Sequence, residues 1–240
     1  MTTADGWVAA VRSRIGLGRL LPLGGPADGA WLAERAADGV LRRVAREVPG
    51  VEPGRLRITL ADAQAATAPA LPAPPGSVPP GPLRIEADFA AGHGVPLPDL
   101  AERLRAALYT ASERRLGLTV SEVDLRVTAL LDAPPETTAP QPGAADSPAP
   151  SAPAIDDPVA AVAAAVPGVA RLTTVLGHSV HRAADHLRIE LATAPDHRAL
   201  DVALAVRGAV GGELPVTVVV TDIAPGGQSA RPAKSRRRRA

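Results

Sequence analysis

Cysteine is absent from this chain of 240 residues, which excludes a disulfide framework, a thiolate zinc site and a cysteine nucleophile. Aromatic residues make up only 2% of the chain, so stacking platforms for nucleic-acid bases are nearly excluded. No apolar run reaches the ~18–20 residues that a bilayer-spanning helix needs. The N-terminus also lacks the charged start, apolar segment and cleavage site of a signal peptide. From these absences we expect a cytoplasmic protein whose cores contain mainly Leu, Val, Ala and Ile.

The charge is small but unevenly distributed. The formal net charge is +1, yet the C-terminal segment carries six cations and no acid, which leaves the rest of the chain acidic. A cationic tail is attracted to anionic lipid or to nucleic acid, although a tail that only solubilises the chain is an equal alternative. The expected anion-binding residues are Arg231, Lys234, Arg236, Arg237, Arg238 and Arg239.

The most informative feature of the sequence is an internal repeat. Val48-Pro49-Gly50-Val51 recurs as Val166-Pro167-Gly168-Val169, and Leu83-Arg84-Ile85-Glu86 recurs as Leu187-Arg188-Ile189-Glu190. The period is much longer than the ~20–50 residues of a solenoid unit, which indicates a duplicated domain. The sequence therefore predicts an α+β fold with two tandem small α-β-β-α-β domains, each with helices packed on a small sheet.

Hydrophobic periodicity predicts the first elements of the first copy. A helix with Asp28 as its N-cap is expected to continue to Val48, and Pro49 ends it. Alternating apolar residues then predict a pair of strands at 56–60 and 83–89.

The rest of the first copy is predicted in the same way. Pro98 is expected near the start of a second helix that closes at Gly117, and a last strand covers 123–129. We expect the interior of this copy to contain Val40, Leu104 and Val127.

The second copy is shorter. Pro158 is expected to open its first helix, and strands are predicted at 172–176 and 186–192. Asp196 is a candidate cap for the next helix, and a Val-rich strand at 216–220 completes the copy.

Composition divides the chain further. Residues rich in Pro, Ala, Ser and Thr are expected to form flexible segments, and an apolar helical face near the start is expected to dock on the body or to lie in a membrane interface. The predicted order is an N-terminal arm (1–27), a first domain (28–132) with a flexible insertion (63–82), a disordered linker (133–157), a second domain (158–225) and a basic disordered tail (226–240).

One block of the first copy resembles a known family. The turn Gly94-Val95-Pro96-Leu97-Pro98 is followed by a helix and then by Gly117-Leu118-Thr119-Val120-Ser121-Glu122-Val123-Asp124-Leu125-Arg126-Val127. In this order the segments closely resemble the alkaline shock protein family of bacterial envelope stress proteins. Asp124 stands where the family usually has Asn, and Leu116 stands where it has Thr. The resemblance covers residues 27–132, while the second copy lacks the Gly-Val-x-x-Pro turn.

The resemblance implies a divergent, duplicated member of that family. It implies a non-catalytic scaffold or adaptor in envelope stress response or cell-surface homeostasis, acting through protein–protein contacts at the inner face of the membrane. A homo-oligomer is a further open expectation. The alternative is a nucleic-acid-associated protein that uses its Arg-rich tail; an enzyme would need a convergent pocket.

The remaining candidate chemistry is a group of histidines. Imidazoles can hold zinc where three or four converge, but these side chains fall in different predicted loops and at opposite strand ends. We therefore expect solvated loop histidines and no metal, cofactor or catalytic residue. The histidines in question are His178, His181, His186 and His197.

Overall fold

The computed structural model describes residues 16–131 and 157–225. The predicted N-terminal helical face, the linker apart from Asp157, and the basic tail lie outside the described residues. Within them the fold is mixed α+β, with four α-helices and two sheets. None of the helices in these two ranges is long and apolar enough to cross a membrane.

The first copy forms a three-stranded sheet with two helices and a π-helical turn. In chain order the elements are α1 (Glu34–Arg46), β3 (Val51–Leu60), β4 (Leu83–Gly92), α2 (Leu97–Ala111), the π-helical turn (Ser112–Leu116) and β5 (Val120–Leu131). The strand order is β3-β4-β5; β3 pairs with β4 antiparallel, and β4 pairs with β5 parallel.

The second copy repeats this pairing. Its elements are α3 (Pro158–Ala164), β6 (Val169–Leu172), β7 (Val180–Arg182), β8 (Leu187–Thr193), α4 (Ala199–Val210) and β9 (Val216–Ile223). Strands β6 and β7 both pair antiparallel with β8, and β8 pairs parallel with β9. The counterpart of β3 is thus broken into two short strands.

The repeated Val-Pro-Gly-Val segment makes the same turn in both copies. Gly50 and Gly168 have φ angles of 85° and 90°, which residues with a Cβ rarely adopt. The carbonyl group of each glycine then accepts a hydrogen bond of 2.8 Å from the far end of the neighbouring strand, at Gly92 and Ala194 respectively. The segment therefore ends a helix and sets the register of the following strand in one step.

The start of the first copy differs from the prediction. Asp28 does not cap a helix: β1 (Leu20–Leu23) and β2 (Ala30–Ala33) precede α1, whose N-cap is Ala33. These strands pair with each other, and β2 pairs parallel with β9 of the second copy. All residues of both strands are buried, as expected of strands covered on both faces. Strand pairing thus crosses the predicted boundary at residue 28.

The long connection between β3 and β4 is an insertion at the predicted place, and it is packed against the rest of the fold. Val78 and Ala70 donate backbone hydrogen bonds of 2.8 and 2.9 Å to Leu20 and Pro26, and the Thr217 hydroxyl donates to Pro72 at 3.0 Å. These bonds connect the insertion to the larger sheet, while its flexibility stays a prediction.

One hydrophobic cluster runs through both copies. Helix α1 contacts β3 of the small sheet and also β2 and β9 of the larger sheet. Val40 and Leu104 are buried, which confirms two of the predicted core positions. The prediction for Val127 is wrong, since 39% of its surface is exposed. Val127 shares the inner face with the buried Val123, but the helices do not cover this end of β5.

Two details of the second copy are corrected. The strand predicted at 172–176 is β6, which ends at Leu172 and is followed by a loop. Asp196 does not cap α4, whose N-cap is Arg198 and has no side-chain cap bond. Asp157 instead caps α3, because its carboxylate accepts a hydrogen bond from the Val159 N–H at 2.9 Å. Pro158 occupies the first turn of that helix, as predicted.

Candidate interaction surface

The two faces of the three-stranded sheet have opposite chemistry. Leu83, Ile85 and Phe89 point to the core and are buried, because successive strand residues alternate between faces. The other face carries charged side chains from all three strands, and we call it the open face. It consists of Arg55, Arg57, Arg84, Glu86, Asp88, Glu122, Asp124 and Arg126.

Neighbouring strands place opposite charges side by side on the open face. Arg126 donates two hydrogen bonds of 2.9 Å to the carboxylate of Asp88. These bonds hold the pKa of Asp88 below its ordinary value and raise the pKa of Arg126. Arg84 donates to Glu122 at 2.7 Å and lies 3.5 Å from Asp124, and the bond to Glu122 raises the pKa of Arg84. Asp88 therefore stays ionised and is unsuited to act as a general acid.

Three charges of the open face have no ion-pair or hydrogen-bond partner among the described residues. These are Arg55 and Arg57 on β3 and Glu86 on β4, and all three side chains are exposed. Arg57 is the cross-strand neighbour of Glu86. The unpaired groups surround a shallow concavity of about 370 Å³ on this face. Arg55 still attracts Asp88, and Glu86 still attracts Arg84 and Arg126, but within the described residues their charged ends make no close contact with an opposite charge and are exposed to a binding partner.

The balance of charges limits what the open face can bind. It contains four arginines and four carboxylates, so it carries no excess of positive charge for a polyanion. Protein surfaces that bind nucleic acid are instead strongly basic and commonly supply aromatic side chains for stacking. A patterned surface with both signs of charge fits a protein partner with complementary charges.

The equivalent face of the second copy is closed. Glu190 occupies the position of Glu86 in the repeated Leu-Arg-Ile-Glu segment, but it is fully buried. Its carboxylate accepts a hydrogen bond of 2.8 Å from the Leu176 N–H and lies 3.3 Å from Arg188. Leu176 belongs to the loop that separates β6 from β7, so this loop covers the face that β3 leaves open in the first copy.

A second concavity of about 440 Å³ lies where the two copies meet. Two of its polar side chains are already engaged within the fold. The Tyr109 hydroxyl donates to Ser121 at 2.8 Å, and Arg198 donates to the carbonyl group of Glu113 at 2.8 Å. Gly117 lies so close to Leu200 that a Cβ there would collide with it. We interpret this concavity as a packing junction.

The predicted site residues are not brought together. The six basic residues of the tail lie outside the described residues. His186 forms a hydrogen bond of 2.8 Å with Asp185, and His197 packs against Gly168. His181 on β7 lies opposite Arg188 on β8. In residues 16–131 and 157–225, no group of three or more metal-ligating side chains converges.

The sequence interpretation missed the open face as a site. Its signal was nevertheless present, because charged residues recur at every second position in two adjoining strands, as Arg84-Glu86-Asp88 and Glu122-Asp124-Arg126. Taken strand by strand, such alternation predicts only a solvated face. The juxtaposition of the strands shows that the charges form one patterned surface.

Comparisons of the chain with models of known protein families, with curated proteins and with solved structures found no match.

Proposed function

We propose that the protein is a non-catalytic scaffold or adaptor that binds a protein partner through the open face. The observation that carries this proposal is the three unpaired charges, Arg55, Arg57 and Glu86, in the concavity of a self-neutralised charged sheet. The covered equivalent face of the second copy supports it, since the second copy retains the strand pairing but has no such surface.

The cellular role in this proposal rests on the resemblance to alkaline shock proteins. We propose that the chain acts in envelope stress response or cell-surface homeostasis, in the cytoplasm at the inner face of the cell membrane. We further propose that it arose as a tandem duplication of one small α+β domain. The repeated element order supports the duplication. The strands β1 and β2, which precede the first copy in the chain, pair with β9 of the second copy and so link the two.

A charge-reversal experiment tests the open face. Arg55→Glu/Arg57→Glu inverts its free cations, while Arg35→Glu/Arg43→Glu changes the same number of exposed arginines on α1. Each tagged protein is crosslinked in the native cell, and its partners are identified by mass spectrometry. We expect the partners of the wild type to be retained by the α1 variant and lost by the open-face variant. Retention of the same partners by the open-face variant would contradict the proposal.

The basic tail supports the alternative of nucleic-acid association. We expect the intact chain to bind anionic vesicles at low salt, with binding weakened as the Debye length falls from ~10 Å at 0.1 M to ~3 Å at 1 M. Truncation after Ala230 should abolish that binding. Tight binding to duplex DNA without binding to vesicles would favour the alternative.

A further inference from the structure

The sheet edges of this fold are protected unequally. On β3, Pro53 has no N–H to offer, and Arg19 and Arg42 donate hydrogen bonds to the carbonyl groups of Ile58 and Gly54. On β1, the N–H of Val78 occupies the carbonyl group of Leu20 at 2.8 Å. The strands β6 and β7 are only four and three residues long. Short or occupied edges resist pairing with another chain.

Strand β5 is the exception among the described edges. It has 12 residues and pairs on one side only, with β4. Side chains of α2 cover its first part: Tyr109 donates to the carbonyl group of Ser121, and Arg105 donates to that of Val123 at 3.3 Å. Between described residues, no side chain donates to the carbonyl groups of residues 125–130.

The uncovered part of β5 also exposes apolar side chains. Val127 and Leu130 are 39% and 64% exposed, and both follow the point where the α2 side chains stop covering the edge. The strand is regular from Glu122 to Val127, between two irregularities in its pairing with β4. In a strand that pairs on one side only, every second residue directs its backbone N–H and C=O groups away from the paired strand. Because Arg105 reaches the Val123 carbonyl group from outside, Leu125 and Val127 also direct their N–H and C=O groups away from β4.

This regular run is complementary to a second copy of itself. If two β5 strands pair antiparallel about a two-fold axis at Leu125, Val123 lies opposite Val127 and Asp124 lies opposite Arg126. Asp124 and Arg126 are 62% and 73% exposed in the single chain and can therefore take a second partner. The backbone N–H and C=O groups of Val123, Leu125 and Val127 in the two copies would form about six hydrogen bonds across this axis. The Val123 carbonyl group can keep Arg105 and accept one more hydrogen bond.

We propose that this edge is a homodimer interface, in which β5 strands of two copies join the three-stranded sheets into one continuous sheet of six strands. On one surface of that sheet the opposed charges of Asp124 and Arg126 fix the register. On the other surface Leu125 meets its own counterpart, and Val127 becomes covered. This inference goes beyond the proposed function, because the free cations Arg55 and Arg57 lie at the far edge of the sheet.

Charge reversal at the two facing positions tests the register. Asp124→Arg places arginine opposite arginine, and Arg126→Asp places aspartate opposite aspartate, so each variant alone should dimerise roughly tenfold less tightly or worse. An equimolar mixture of the two variants restores both attractive pairs and should form the heterodimer. The double variant Asp124→Arg/Arg126→Asp should again form a homodimer. Analytical ultracentrifugation of the full chain measures each state.

Three further measurements separate the interface from other causes. Arg35→Asp is a matched control on α1, where an acid in the first turn is tolerated, and it should dimerise like the wild type. Arg55→Glu/Arg57→Glu should also dimerise like the wild type, even if it loses its partners. Thermal unfolding checks that each variant is folded. A wild-type monomer at ~100 µM, or variants whose mixture remains monomeric, would overturn the proposal. A monomer that binds an extended peptide along β5 would likewise overturn it, in favour of a heterologous strand.

Discussion

The two sheets of this protein have the same pairing pattern but opposite surroundings on one face. In the first copy, β3 is a continuous strand of ten residues, and the face bearing Glu86 is open to solvent. In the second copy the corresponding edge is broken into β6 and β7, and the intervening loop covers Glu190. The glutamate of the repeated segment Leu-Arg-Ile-Glu is therefore exposed in one copy and buried in the other.

Under the proposed duplication and the proposed binding role, this difference would assign stability to one copy and binding to the other. The larger sheet is buried on both faces over most of β8 and β9, with β1 and β2 added to its edge. Its buried charges require partners, because an unpaired charge in the interior is strongly unfavourable. The smaller sheet retains one face in water, where charges cost little and can contact other molecules.

The largest difference is expected between Glu190 and Glu86. Glu190→Ala removes the acceptor for the Leu176 N–H and leaves the largely buried Arg188 without this carboxylate. We expect a loss of about 3–5 kcal/mol in the free energy of unfolding, as for other broken buried pairs. Glu86→Ala removes the equivalent but exposed carboxylate and should leave stability unchanged within error. Urea denaturation of both variants measures this contrast, and equal losses would show that the two faces do not differ as described.

A second contrast lies within the small sheet. Leu104→Ala empties a buried position under the sheet and should cost ~2–5 kcal/mol. The side chain of Val127 lies on the face of β5 that points toward α2, but it is 39% exposed. Val127→Ala should therefore cost the monomer much less free energy of unfolding. The two unfolding curves should be measured at a concentration where the chain is monomeric. A cost for Val127→Ala equal to that for Leu104→Ala would mean that the end of β5 is covered within the single chain.

These elements also show how far the sequence alone predicts the fold. The element order from α1 to β5 was predictable because alternation, helical spacing and the Val-Pro-Gly-Val stop are local signals. The pairing of Ala30–Ala33 with β9 was not, since four consecutive apolar residues fit a helix as well as a buried strand. The exposure of Val127 was missed for a related reason: alternation identifies the face of a residue, but the extent of the covering helices is a tertiary property.

The candidate surface was predictable only in part. The charges at alternate positions of β4 and β5 were visible in the sequence as a polar face. Their convergence into pairs such as Arg126 with Asp88 depends on the parallel register between strands that lie far apart in the chain. The repeat predicts two small domains with the same element order and does not say which face of each sheet is covered. The loop between β6 and β7, which covers one face of the second copy, overlaps the strand predicted at 172–176.

A smaller effect on the free energy of unfolding is expected at the contact between Arg19, which precedes β1, and Glu34, which begins α1. Arg19 bonds the Glu34 carboxylate at 3.0 Å, and Glu34 bonds the Arg19 carbonyl group through its own N–H at 2.8 Å. Burial acts to raise the pKa of Glu34, but the hydrogen bonds from Arg19 outweigh it, and the pKa lies below its ordinary value. Because Arg19 is partly exposed, we expect Glu34→Gln to cost only about 1 kcal/mol near neutral pH.

The lowered pKa of Glu34 sets how the free energy of unfolding depends on pH. A carboxyl group with a lowered pKa in the folded state contributes its stability above the ordinary carboxyl pKa of ~4.3. The contribution is lost as the pH falls below that value and through the pKa of the folded state. The difference between the wild type and Glu34→Gln should therefore shrink toward acid pH in urea denaturation. Glu52→Gln, at an exposed position on β3, is the control and should show no such trend. A difference that grows on acidification would contradict the pairing.

The smallest effect is expected at Arg84, the counterpart of Arg188 in the repeated segment. Arg84 binds Glu122 and lies near Asp124 on the open face, where water can hydrate both carboxylates if the guanidinium is removed. Solvent-exposed ion pairs contribute little to folding, so Arg84→Gln should leave the melting temperature indistinguishable from that of the wild type. Arg188→Gln should lower it, because Glu190 is buried and loses a charged neighbour. Differential scanning calorimetry of the two variants measures this pair under one condition. If Arg84→Gln lowered the melting temperature as much as Arg188→Gln, the charges of the open face would be needed to hold the small sheet together. The pattern of these charges would then be explained by folding stability, and it would no longer support a binding surface. A silent Arg84→Gln would instead leave these charges free to serve an interaction with another molecule.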